Sequence, residues 1–345
     1  MRLIMQAGNC VAWGQYQLIR ISNSNNVMID IATLGATIVN FYVTDKRGCE
    51  RNIVLGYDDA EGYVCGDKYI GAVVGPWANR IEKGQYKIEG EQPCQLEQNE
   101  KTNHLHGGSA GVHTKAWQVK CVAQQGVTLT TRVEAGEAGY PYSIAIEVTY
   151  RLSESNELSI QYQAFCEGIV PINLTQHSYF NLNGDRSDIT DHCLSLEADE
   201  VLIVDACGIP TASVLVDKNI MDLRTPVRLD HVLDQHAPSL SKLDGYDHCF
   251  VIKGQGLRTA AWLFSSATGI ELEMLTDQAG VQFYTGIHLG STLGRHHQVY
   301  SKYSGLCLEA QHFPNQPNMA DKQLECLYGP ERMYKQTTVY RVNVI

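Results

Sequence analysis

The sequence predicts an all-β protein, a large antiparallel β-sandwich, on three observations. Apolar residues recur at every second position over several stretches, clusters of turn-forming residues separate them, and no long amphipathic helix intervenes. Period-two alternation marks strands with one face in a core. Closely spaced strands without crossover helices pair antiparallel, because a parallel neighbour needs a connection long enough for a helix.

Along the chain, short helical pieces are expected at most within 58–70 and 228–244. Val127, Leu129, Thr131 and Val133 alternate as one strand, and 134–141, rich in Gly and ending in Pro141, reads as a turn. Tyr142, Ile144, Ile146, Val148, Tyr150 and Leu152 carry the longest alternation. Ser153-Glu-Ser-Asn156 turns the chain into Leu158, Ile160, Tyr162 and Ala164, and Tyr340, Val342 and Val344 end it in the same way. The most loop-like region, about 183–193, is not Gly/Ser-rich enough to be a linker, and no internal repeat is visible, so one domain over 1–345 is expected. Two stacked sheets of this size leave a curved face on which a sugar can bind.

Composition narrows the function. Of 345 residues, 44% are hydrophobic and 19% charged, enough for a real core and too few charges for a disordered chain. Twenty-seven Lys+Arg against 38 Asp+Glu leave a net charge of −11 with no basic run, which argues against nucleic-acid or anionic-membrane partners and favours a neutral substrate over a polyphosphate. The eleven cysteines are scattered, odd in number and never spaced Cys-x-x-Cys, so free thiols in a reducing, cytoplasmic setting are expected. The chain opens without a signal-peptide pattern and has no run of about eighteen apolar residues.

Several motif matches carry no chemistry. Gly254-Gln-Gly256 lacks the third glycine of a dinucleotide loop, Ser239-Leu-Ser-Lys242 lacks companion motifs, and Gly290-Ser-Thr-Leu-Gly294 has Thr292 where a nucleophile elbow needs Ser. His296-His297 reads as a solvated loop, and Asn173-Leu-Thr175 is a sequon without meaning in a cytoplasmic chain. His104-Leu-His106 presents two imidazoles but no third ligand at a supporting spacing. Neither a metal nor a cofactor is expected.

Four segments are richer in polar residues than a sandwich core requires: 75–81, 103–108, 173–182 and 307–315. Strand parity puts Thr175, His177, Tyr179 and Asn181 on one face, with Leu174, Ser178, Phe180 and Leu182 on the other. In the last segment Leu306, Leu308 and Ala310 oppose Cys307, Glu309 and Gln311. Taken singly, His177 reads more readily as a hydrogen-bonded structural histidine and Glu309 as a salt-bridged carboxylate.

Six motifs in register change that reading. Asn79-Arg-Ile81, Leu105-His-Gly-Gly108, Leu174-Thr-Gln-His-Ser-Tyr-Phe-Asn-Leu182, Tyr246-Asp-His248, Val281-Gln-Phe-Tyr-Thr-Gly286 and Cys307-Leu-Glu-Ala-Gln-His-Phe-Pro-Asn315 follow in the order and spacing of the aldose 1-epimerases, which the chain resembles from about residue 30 onward. Ile209-Pro-Thr211 and Asp222-Leu-Arg-Thr-Pro226 also resemble that family's middle section. Two departures stand out. Gln176 replaces the usual Asn before the histidine and by parity faces the packing side, and Pro76-Trp77 replaces an Arg-Tyr-type pair, a change that leaves the choice of sugar open.

The resemblance implies interconversion of the α and β anomers of a free monosaccharide by acid–base ring opening, without cofactor or metal. It implies Glu309 as general base at the anomeric hydroxyl and His177 as general acid at the ring oxygen. His106, Arg80, Asn79, Asp247 and, more weakly, Gln282 are implied to hold the sugar. On that assignment the rate falls in acid as Glu309 protonates and in alkali as His177 loses its proton. Two rival readings remain. An epimerase of hexose 6-phosphates would need a cationic pocket, which only Arg80 among these residues supplies. A non-catalytic sugar-binding protein would not need both Glu309 and His177.

Overall fold

The structure, a computed structural model, describes residues 10–184, 187–217, 219–233 and 245–345. The opening of the chain, the Ser239-Leu-Ser-Lys242 match and most of the expected helical piece at 228–244 lie outside them. Three antiparallel sheets carry the fold, which is 47% strand and 10% helix, as an all-β sandwich requires. The helices are short, Ala60–Cys65 and Leu229–Leu233. No helix among the described residues is long and apolar enough to cross a membrane.

A nine-stranded sheet runs in the order Gln118–Ala123, Gly126–Val133, Ile144–Leu152, Glu157–Cys166, Tyr334–Val344, Ile270–Thr276, Arg258–Phe264, Cys193–Leu196 and Val227–Arg228. Along Ile144–Leu152 burial alternates as the sequence implies. That strand starts two residues later than the alternation suggests, leaving Tyr142 38% exposed in the turn. Tyr334–Val344 starts earlier than the apolar pattern, because the inward-facing positions before Tyr340 are the polar Gln336 and Thr338. Gln336 is tied down by Nε2 donating to the Ala310 carbonyl at 3.1 Å and by Oε1 accepting from the Tyr334 hydroxyl, so both ends of its buried amide have a partner.

A six-stranded sheet faces it, ordered Tyr179–Phe180, Leu306–Gln311, Gly280–Tyr284, Asp247–Ile252, Ala198–Val204 and Pro210–Leu215. Between the two sheets lie Leu306, Leu308, Ala310, Val281, Phe283 and Phe250 from one side, packed with Tyr150, Tyr162 and Tyr340 from the other. Ring contact of Phe180 with Tyr340 at 5.0 Å and the Tyr340 hydroxyl's bond to the Leu308 carbonyl at 3.3 Å join the layers. A five-stranded sheet over Cys10–Trp13, Tyr16–Ser22, Met28–Ala32, Ile38–Thr44 and Glu50–Asn52 adds Ile19, Ile21, Ile29, Ile31 and Phe41 to this core.

One expectation is corrected. The alternating 173–182 segment is not one strand. It splits into Thr175–Gln176, paired with Val73–Val74, and Tyr179–Phe180, paired with Leu306–Gln311. His177 lies at the crossing, its N–H bonded to the Ala72 carbonyl and its carbonyl to the Gly71 N–H, both at 2.9 Å. Because the chain changes partner there, both faces of the segment are buried and parity alone does not place its side chains.

Candidate active site

With Leu306, Leu308 and Ala310 committed to the core, the other face of the six-stranded sheet carries the polar residues. Register places Glu309 opposite Gln282 and Gln282 opposite Cys249; the neighbouring rung is Tyr179, Cys307, Tyr284 and Asp247. Antiparallel pairing thus sets Cys307, Glu309, Gln282 and Asp247 side by side although they come from three distant parts of the chain. Against this face lie the segments 69–82, 103–113 and 172–178.

His177 reaches down onto the rung. Its Nε2 is 3.8 Å from Glu309 Oε2 and its Nδ1 is 3.5 Å from Cys307 Sγ. Both residues are about 95% buried or more. Glu309 Oε2 and Gln282 Oε1 are buried without a hydrogen-bond partner among the described residues. A buried carboxylate oxygen left in that state costs more than a neutral one, so a polar ligand that reaches it binds with an advantage. The tightly buried Glu309 carboxyl is pushed well above its usual range, first by desolvation and then by the charge of Asp247, with Arg80 opposing. Desolvation holds His177 low, at about 4. Burial therefore favours the neutral form of each group.

The other expected residues gather around this pair. Asn79 and His106 both adopt left-handed backbone, with φ of 68° and 54°. The Asn79 N–H donates to His106 Nδ1 at 3.1 Å, which leaves the His106 proton on Nε2 as a free donor. Asn79 Oδ1 accepts from the Arg80 N–H at 2.8 Å, so this side chain shapes the turn. Arg80 makes a two-pronged pair with Glu100 at 2.8 and 2.7 Å, which orients the guanidinium and offsets its charge. Asp247 accepts from Gln282 Nε2 at 2.7 Å.

Gly107 explains the Leu105-His-Gly-Gly108 motif. Its φ is +87°, and a Cβ there would run into the Gly75 carbonyl. Gly107→Ala is expected to lower stability by about 2–4 kcal/mol, read as a fall in the urea midpoint, because strain and a backbone clash coincide. An unchanged midpoint would show that the turn yields without disturbing His106.

Residues that motif reading did not single out complete the wall. The Tyr69 ring lies 4.7 Å from the rings of both His106 and His113 and 5.7 Å from His177. Nothing in the local sequence marks Tyr69. Cys307 was visible by parity as a neighbour of Glu309, but nothing in the sequence joins it to His177. Trp77, whose effect the sequence left open, is fully buried in the core, stacked on His312 and donating to the Arg80 carbonyl at 3.3 Å, so it supports Arg80 from behind. Gln176 points away from the pair, toward Tyr150 and the Gly71 carbonyl. Asn173 is buried and bonded to Ala78 and His312, which keeps the sequon out of reach.

Ligand atoms of His177, Cys307 and Glu309 lie within 4.8 Å of one another, a donor set of the kind that holds zinc. His104, by contrast, has both ring nitrogens committed, to the Glu97 carbonyl at 2.8 Å and the Tyr140 hydroxyl at 3.0 Å, and does not join His106 as a ligand.

A carboxyl and an imidazole thus face each other among further polar side chains, and comparison with known proteins identifies the family. The family model for aldose 1-epimerase matches residues 17–341. The chain belongs to the aldose 1-epimerase family. Human galactose mutarotase is 40% identical over 329 residues, covering 93% of this chain and 92% of the human protein. Aldose 1-epimerase of Escherichia coli K12 is 32% identical, covering 94% and 95%. Among solved structures, the GalM/aldose epimerase homologue from C. elegans superposes with a TM-score of 0.88 at 27% identity, covering 96% of this chain and 99% of that one. Galactose 1-epimerase from Lactobacillus acidophilus gives 0.85 at 25% identity, covering 97% and 98%. Aldose 1-epimerases are isomerases, and this chain is an enzyme of that class.

Proposed function

We propose that the protein interconverts the α and β anomers of free aldoses such as galactose and glucose, with Glu309 and His177 as the proton-exchanging pair. Opening a hemiacetal ring requires that the anomeric hydroxyl lose a proton while the ring oxygen gains one. Glu309 exchanges with the anomeric hydroxyl and His177 Nε2 with the ring oxygen. Rotation about the bond next to the aldehyde then presents its other face, and closure reverses both transfers. His106 Nε2–H, Arg80 and the Asp247–Gln282 pair hold the remaining hydroxyls, with Asn79 shaping the turn that carries Arg80 and bonding to His106. The observation that carries this reading is the 3.8 Å approach of two buried groups of opposite proton demand, one with an orphaned oxygen.

Burial revises the roles at rest. A protonated Glu309 beside a neutral His177 is the arrangement that closes the ring; opening needs the same proton on His177. Both forms carry one proton, so the pair serves both directions without exchange with water. The neighbouring charges bias the transfer: Arg80 favours ionised Glu309, and Asp247 favours protonated His177.

Polarimetry on freshly dissolved α-D-galactose and α-D-glucose tests the activity, and its pH profile tests the pair. The rate is expected to follow a bell. It falls in acid when His177, lowered to about 4, takes a second proton, and in alkali when Glu309, raised above the usual carboxyl range, loses the only one. These limbs are assigned opposite to the sequence expectation, because burial favours the neutral form of each group. A flat profile would remove the pair from the mechanism.

A neutral sugar fits better than a phosphorylated one, since Arg80 is already matched by Glu100 and the site adds the carboxyl groups of Asp247 and Glu309. For location we propose a reducing compartment such as the cytoplasm. All eleven cysteines fall within the described residues and are free, with Cys10, Cys49, Cys65, Cys121 and Cys207 at the surface.

A further inference from the structure

We propose that Cys307 is a positioning residue: its sulfur accepts a hydrogen bond from His177 Nδ1–H and so keeps Nε2 as the nitrogen that gives and takes the ring-oxygen proton. This rests on the proposed role of His177. The two ring nitrogens face different groups, Nδ1 toward Cys307 Sγ at 3.5 Å and Nε2 toward Glu309 at 3.8 Å. When the ring opens, the Nε2–H bond breaks and a ring-oxygen–H bond forms; the imidazole that remains must hold its one proton on Nδ1. If it moved to Nε2 instead, no lone pair would face the sugar and closure could not begin. Which nitrogen carries the proton of a neutral histidine is set by the bond that the other makes.

Cys307 is fully buried on the Leu306–Gln311 strand, two residues from Glu309, so one rigid strand presents both the carboxyl and the sulfur to opposite nitrogens of one imidazole. The choice of sulfur has a physical reason. Burial keeps the thiol protonated and uncharged, and a neutral sulfur is a weak acceptor. It can select the Nδ1–H form without adding a second charge, whereas a carboxylate there would hold a permanent imidazolium and stop His177 from releasing its proton. The rival arrangement has the thiol S–H donating to a bare Nδ1, with the ring proton on Nε2. A further candidate for Nδ1–H is the backbone carbonyl of His177 itself.

The test is two-bond ¹H–¹⁵N correlation NMR on histidine-labelled protein near neutral pH, with the His177 signals assigned by their loss in His177→Gln, together with kinetics of Cys307→Ala and Cys307→Ser. The wild-type ring is expected to carry its proton on Nδ1. Cys307→Ala is expected to mix the tautomers and lower kcat roughly three- to ten-fold, the span of one modest hydrogen bond, with KM within about twofold. Cys307→Ser, which retains an acceptor, is expected to restore both. A wild-type ring protonated on Nε2 overturns the proposal, and so does an unchanged tautomer or an unchanged kcat in Cys307→Ala. The tautomer is read without substrate, so a wild-type protein inactive on every aldose would refute the proposed function and not this assignment.

Discussion

Glu309→Gln is expected to lower kcat for mutarotation by about a thousandfold, within the range of about 10² to 10⁴ for one positioned proton-transfer group. Sugar affinity is expected to stay within a few-fold. The physical reason is unusually favourable here, because burial favours the neutral carboxyl form of Glu309. Glutamine matches the shape and lacks only the transferable proton, so the ground state is preserved and the proton exchange is lost. Polarimetry measures the rate, and calorimetric titration with galactose measures the affinity. Near-normal mutarotation by the variant would overturn the assignment. A large loss of affinity with kcat retained would turn Glu309 into a binding residue.

His177→Gln is expected to lower kcat by a similar factor, since the ring oxygen is a weak base and its proton has to pass through His177 Nε2. The more searching measurement is the Glu309→Gln/His177→Gln double variant. If the two groups handle one shared proton, removing either stops the exchange, and the double variant is expected to be no slower than the slower single one. Independent contributions would instead multiply, to roughly a millionfold on the same estimate. Polarimetry at high enzyme concentration separates these outcomes. A multiplicative loss would show that Glu309 and His177 act on separate steps with separate proton donors.

Legibility differed between elements for identifiable reasons. Ile144–Leu152 and its neighbours were readable because one face is buried and the other is not, which writes a period of two into the sequence. Tyr334–Val344 was half hidden because Gln336 and Thr338 are buried polar residues with partners that only the fold supplies. The 173–182 segment misled because a side chain at a crossing between sheets obeys neither strand's parity. Among site residues, Glu309 and Cys307 could be assigned to a common face from parity, since their strand is regular. The sequence left the effect of Trp77 open, because a departure from a family pattern marks a difference without saying whether it faces ligand or core.

The amino-acid order alone was sufficient for the all-β class, for the apolar side of the 306–311 strand and, through six motifs in register, for the family resemblance that named Glu309 and His177. These are local properties, or patterns of local properties, and a linear chain records them. Three-dimensional packing decided the rest: that the two groups approach to 3.8 Å, that Cys307 takes the second ring nitrogen, that Arg80 is held by Glu100, and that Tyr69 lines the site. It also decided which protonation form of each group is favoured. Desolvation depends on everything that surrounds a group, and the surroundings of Glu309 come from parts of the chain as far apart as Arg80 and Asp247.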